Sequence, residues 1–203
     1  MHNILLIGDS LTYLGSHKER GWVNYLKMWY KNKANIINKG LCLYTSKMIR
    51  DEFDEITCNT IGKFDLCTIL LGTNDCYNPN LHITPGIYKE NILFMIDNLL
   101  SKNPNCIIFL ITPPSCKINE CILEYVDQIY DIVSEIQIQK QKQKQKQKQL
   151  IILIDLYKGN NNIDCTDLDQ DGIHLNTSGN WKIYCKIKEA IEKQISFFTP
   201  NNL

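Results

Sequence analysis

No sign of charge predominates in this chain: lysine plus arginine and aspartate plus glutamate each number 22, so the formal net charge is zero. A global basic field, the electrostatic footprint of a polyanion binder, is therefore missing, and this argues against nucleic acid as a partner. Long hydrophobic runs are missing as well. The first apolar stretch, Ile4 to Ile7, is too short for the apolar region of a signal peptide and is followed by no cleavage pattern. No run reaches membrane-spanning length, so membrane insertion is not expected either. The nine cysteines are scattered and odd in number, and no two have C-x-x-C spacing. Without an export signal, most of them read as small apolar core residues in a reducing compartment, which makes the expected location cytoplasmic. None of the four histidines is paired with another at ligand spacing, so neither a metal nor another cofactor is expected.

What is present is enough for one domain spanning residues 1–203: 203 residues of which 44% are hydrophobic can enclose a good-sized core. Ile4-Leu5-Leu6-Ile7 cannot alternate between core and solvent, so it reads as a strand covered on both faces. Further strands read at Ala34 to Gly40, which runs into a loop, at Phe64 to Leu71, Asn105 to Thr112 and Leu150 to Leu156. Helical spacing lies between them, over Gly21–Tyr30, Tyr44–Glu55, a segment with Thr84 as N-cap and Pro85 at its first position, a helix from about Asn119, and a last helix from about Trp181 to Phe197. Leu11 to Arg20 reads as a loop leading into a helix. Five apolar strands alternating with helices imply an α/β fold, a parallel sheet with helices on both faces. The lysine-glutamine tract at about 137–149 has no apolar face to bury. It is taken as a solvated insertion, either a helical extension or a loop.

Chemistry collects at three strand ends. Gly8 permits a sharp turn after the first strand and presents Asp9-Ser10, where Ser10 is the candidate nucleophile. The third strand stops on Gly72-Thr73-Asn74-Asp75, and the Asn74 amide could donate to an oxyanion together with the Ser10 backbone N–H. Asp171 and His174 are three apart, which in a helical turn puts their Cβ atoms roughly 5–6 Å apart. A carboxylate so placed can orient the imidazole, which can then take the serine proton. His174 alone reads equally as an ordinary loop histidine; its agreement with Ser10 and Asn74 gives it weight. His17, among Ser16, Lys18, Glu19 and Arg20, reads as a solvated residue. Asp9 reads as a turn-fixing group, and Cys42 and Cys76 read as buried spectators beside the site.

Taken in order, Gly8-Asp9-Ser10-Leu11, Gly72-Thr73-Asn74-Asp75 and Asp171-Gly172-Ile173-His174 resemble the blocks of the SGNH, or GDSL, hydrolase superfamily. Gly21-Trp22, Asn38-Lys39-Gly40 with Tyr44, Ile111-Thr112-Pro113-Pro114 and Gly179-Asn180 look most like its isoamyl acetate-hydrolysing esterases. The resemblance implies a three-layer α/β/α, flavodoxin-like sandwich with strand order 2-1-3-4-5. It also implies a serine esterase without cofactor acting on a small-molecule ester of short acyl chain: Ser10 as nucleophile, His174 as base, Asp171 as its orienting carboxylate and Asn74 as an oxyanion donor. The family's second block usually carries a glycine whose N–H completes the oxyanion hole. Aligned on Asn38, this chain has Leu43 there, so the third donor is either Leu43 or Gly40. An acyltransferase or deacetylase using the same groups, and a catalytically weak binding protein, remain alternatives. Oligomeric state is not written in the sequence.

Overall fold

The computed structural model describes residues 2–58, 64–77, 80–116, 121–143, 150–159 and 162–203. Five strands, β1 (His2–Gly8), β2 (Ala34–Gly40), β3 (Leu66–Leu70), β4 (Ile107–Ile111) and β5 (Leu150–Ile154), form an all-parallel sheet in the order β2-β1-β3-β4-β5. This is the expected order. Within β1 the side chains divide by parity: Ile4 and Leu6 join one apolar cluster, Leu5 and Ile7 the other. Phe109 and Ile111 oppose Ile108 and Leu110 in the same way along β4. Both faces of the sheet must therefore be covered, which is why the strands read as unbroken aliphatic runs. Helices α1 (Ser10–His17), α2 (Trp22–Tyr30) and α8 (Thr177–Gln194) supply the first cluster. Helices α3 (Ser46–Asp51), α4 (Phe53–Cys58), α6 (Pro85–Lys102) and α7 (Ile122–Gln143) supply the second. A short α5 (Thr73–Tyr77) follows β3.

Several local expectations are corrected. Leu11 to Arg20 is not a loop at its start, because the Asp9 side chain accepts the Leu11 N–H and caps a helix that begins at Ser10 itself. Gly72-Thr73-Asn74-Asp75 likewise runs into a helix, α5. Tyr44–Glu55 is divided at Glu52 into α3 and α4. The last helix starts at Thr177, four residues earlier than expected, capped by Asn176 accepting from the Gly179 N–H. Pro85 does open α6, but the Thr84 hydroxyl makes no capping bond. Helix α7 carries on into the lysine-glutamine tract as far as Gln143, while the expected start near Asn119 and residues 144–149 lie outside the described residues. Of the eight cysteines whose side chains are described only Cys67, Cys76 and Cys106 are buried; Cys42, taken for a buried spectator, is exposed. None of the eight is in a disulfide.

Order 2-1-3-4-5 makes the chain leave β1 toward one edge and return past it to β3, so the helices diverge above the carboxyl ends of β1 and β3 and leave a crevice there. In register, Gly8 lies beside Gly40 on β2 and Leu70 on β3, which brings three strand ends to one level. Helix α1 leans directly on the end of β2. A Cβ on Gly40 would stand 2.2 Å from the Tyr13 backbone nitrogen. The Asn38 amide seals the contact by donating to the Thr12 carbonyl at 2.9 Å and to Ser16 Oγ at 2.8 Å. A Gly40→Ala substitution should push α1 away at a cost of about 1–3 kcal/mol, read as roughly 2–4 °C of Tm per kcal/mol; an unchanged melting temperature would contradict the close approach.

Candidate active site

Ser10 occupies the first turn of α1, immediately beyond β1, and is only 8% exposed. His174 reaches it from the far end of the chain: His174 Nε2 lies 3.0 Å from Ser10 Oγ. On the other side of the ring, Nδ1 stands 2.6 Å from Asp171 Oδ2. The three-residue spacing works here through a turn rather than the helical turn expected. Gly172 takes a φ of +71°, and Asp171 Oδ1 accepts the backbone N–H groups of both Ile173 and His174 at 2.9 Å. Partial burial raises the Asp171 pKa, but hydrogen bonds from the His174 ring and from these two backbone groups outweigh it and bring it down to about 2. The carboxylate is thus ionised across the whole physiological range and fixes the ring through Nδ1, leaving Nε2 to face the hydroxyl.

The loop carrying Asp171 and His174 is held by groups that the sequence showed only as family-like spacing. The Asp169 N–H bonds the His174 carbonyl at 2.7 Å, and Leu168 and Leu175 form an antiparallel bridge. Lys18 pairs with Asp169 and donates to the Leu175 carbonyl. Asn180 accepts the Trp22 N–H at 3.1 Å and donates to the Leu175 carbonyl at 3.1 Å, while Trp22 Nε1 donates to the Leu11 carbonyl. Gly21-Trp22 and Gly179-Asn180 therefore connect the serine helix to the histidine loop. Trp22 is fully buried in doing so.

Three candidate donors follow the ends of β1, β2 and β3. The Ser10 backbone N–H sits in the first turn of α1, where helix geometry leaves it no partner. Asn74, on α5, spends one amide hydrogen on the Tyr44 carbonyl at 3.0 Å and keeps the other. Leu43 belongs to a turn that begins where the Leu41 N–H bonds the Gly8 carbonyl at 3.0 Å. Its φ is +67° and its side chain is 68% exposed. That backbone conformation favours glycine and costs another residue roughly 1–2 kcal/mol. The backbone at Leu43 thus takes the φ that glycine favours. Gly40, the other candidate, has its N–H engaged by Asn38 Oδ1 at 2.8 Å. It serves packing.

Next to Ser10 in sequence, Asp9 is 1% exposed and only one of its oxygens has a partner, the Leu11 N–H; Oδ2 has none. Burial raises its pKa from 3.8 to about 7, with the Leu11 bond lowering and nearby Asp75 raising it. His17 stacks on Tyr13 at 4.0 Å between ring centroids and bonds the Tyr13 carbonyl, away from Ser10. Among the described residues no cluster of histidine, cysteine and acidic groups could hold a metal ion, and no helix is long and apolar enough to cross a membrane.

A serine at a strand end, an imidazole on its hydroxyl, a carboxylate behind the imidazole and donors around it form an arrangement suited to acyl transfer. Comparison with known proteins agrees. The GDSL-like lipase/acylhydrolase family matches residues 6–182, and the chain belongs to that family; it is a carboxylic ester hydrolase. The isoamyl acetate-hydrolyzing esterase 1 homolog of Mus musculus is 25% identical over 206 residues, covering 95% of this chain and 82% of that protein. Its counterpart in Rattus norvegicus is 27% identical with the same coverage. Among solved structures, the lipase/acylhydrolase from Enterococcus faecalis superposes with a TM-score of 0.72 at 23% identity, covering 95% of this chain and 96% of that one.

Asp9 yields a test of stability. Because its folded pKa is raised, the stability it contributes is fully present below pH 3.8 and is lost as pH rises through about 7. Asp9→Asn keeps a capping oxygen and removes the charge. Its stabilisation relative to wild type should grow between pH 4 and 8 to a few kcal/mol, measured by thermal melts; a gain that does not vary with pH would contradict the buried charge.

Proposed function

We propose that the protein hydrolyses short-acyl carboxylic esters through an acyl-serine intermediate, with Ser10, His174 and Asp171 as its catalytic triad. The observation that carries this reading is the 3.0 Å contact of His174 Nε2 with Ser10 Oγ, backed by Asp171 at 2.6 Å. Serine is a weak nucleophile at neutral pH and needs such a base. His174 takes the hydroxyl proton as Oγ attacks the ester carbonyl. The resulting imidazolium is stabilised by Asp171, and the oxyanion by the N–H groups of Ser10 and Leu43 and the Asn74 amide, each donor worth about 3–4 kcal/mol. The tetrahedral intermediate collapses as His174 returns the proton to the departing alcohol. A water then gives one proton to His174 and attacks the acyl-serine, and His174 passes that proton to Ser10 Oγ as the acid leaves.

Small esters are favoured as substrates by the names of the mouse and rat relatives. The same chemistry, with water as acceptor and no cofactor, suits a cytoplasmic enzyme of small-molecule metabolism.

Ser10→Ala should lower turnover of p-nitrophenyl acetate by at least ~10³-fold and leave the circular dichroism spectrum unchanged. Undiminished turnover in a folded variant would end the proposal. Across a p-nitrophenyl series, kcat/KM should fall from acetate to octanoate; a rise with chain length would contradict the short-acyl assignment.

A further inference from the structure

Asp75 is completely buried and its side chain is devoted to one neighbour. The Ser46 backbone N–H lies 3.0 Å from both carboxylate oxygens, and Ser46 Oγ donates to Oδ1 as well. Ser46 Oγ also accepts from Asn91 on α6 at 2.9 Å, and Asn91 accepts from Arg50 at 3.1 Å. Burial raises the Asp75 pKa to about 6 although the Ser46 bonds pull it down. The buried carboxylate is thus met by donors from Ser46.

The position of this contact gives it meaning. Asn74 and Asp75 are neighbours on α5, and Tyr44 and Ser46 flank Thr45 at the entry to α3. The Asn74 amide holds the Tyr44 carbonyl and Asp75 holds Ser46, so two adjacent ties join α5 to the segment that immediately follows Leu43. With one tie the segment could pivot about a single hydrogen bond; with two it cannot. Leu43 adds no anchor of its own, since its side chain is exposed and its backbone is in a conformation that glycine prefers.

We propose that Asp75 is a positioning residue for the oxyanion hole: its grip on Ser46 fixes the Leu43 N–H relative to the Asn74 amide at the separation a tetrahedral intermediate requires. The inference deepens the esterase reading above and rests on it. Because the ground-state ester does not use the hole, misplacing a donor penalises acylation and deacylation alike and leaves KM nearly unmoved.

Asp75→Asn preserves shape, but whichever way its amide lies, the NH2 faces the Ser46 backbone N–H, which lies 3.0 Å from both carboxylate oxygens, donor against donor. With p-nitrophenyl acetate, kcat should fall about 10–100-fold with KM within about twofold. The double variant Asn74→Ala/Asp75→Asn should lie within about threefold of Asn74→Ala alone, since both act through one hole. Losses that multiply in the double variant, a changed KM at constant kcat, or a kcat within twofold of wild type would each overturn the proposal. If Asp75→Asn does not fold, Ser46→Ala removes one donor from the same grip and is read by the same criteria, including the cycle with Asn74→Ala. Turnover that ignores Ser10 removes the esterase reading and this inference with it; Ser10-dependent turnover that ignores the Asp75 grip removes this inference alone.

Discussion

One hydrogen bond, from Ser10 to His174, joins positions 164 residues apart and depends on the alignment of nearly everything between them. The segment from Ser10 to Trp22 makes that alignment possible. It carries the serine in the first turn of α1. Through Lys18 and the Trp22 N–H it also grips Leu175 and Asn180, which bracket the loop bearing His174. Both partners are thus referenced to the same short stretch of chain rather than to distant parts of the sheet. A rigid scaffold of this kind keeps side chains within the few tenths of an ångström that proton transfer requires.

The parallel sheet contributes by levelling the strand ends. Gly8, Gly40 and Leu70 stand side by side, and Ser10, the Leu43 turn and Asn74 lie just beyond them. Stability is given up at this edge. Asp9 is buried with one oxygen unpartnered, Asp75 is buried although its pKa is raised, and Leu43 sits at a positive φ. Unfavourable conformations and buried charge persist where the surrounding structure over-determines them, and they gather at functional sites. Here the over-determination comes from the two aliphatic clusters on either face of β1 and β3.

Much of this architecture is legible in the chain. Aliphatic runs such as Ile4–Ile7 announce strands buried on both sides, and the polar residues that end them announce the crevice. Ser10 and Asn74 stood out because polar residues end apolar strands, and Asp171 and His174 because they are three residues apart. Less legible were features set by contacts across the fold. That α1 begins at Ser10 depends on a single capping bond from Asp9, and a sequence of mixed polarity such as Leu11 to Arg20 does not advertise it. Gly40 looked as suitable a donor as Leu43 until Asn38 was seen to occupy its N–H. Asp75 drew no role from the sequence, because its partner Ser46 is 29 residues away. Cysteine exposure was misjudged for a related reason: a small, weakly polar side chain is tolerated on either side of the surface, so composition alone does not sort Cys67 from Cys42.

The central claim is that His174 makes Ser10 a reactive nucleophile, and peptide mapping by mass spectrometry after exposure to a fluorophosphonate reads it directly. The account predicts a single adduct on the peptide containing Ser10, formed by the folded wild-type protein and lost in His174→Ala. Labelling at another residue, or a folded wild-type protein that takes up no probe, would contradict it.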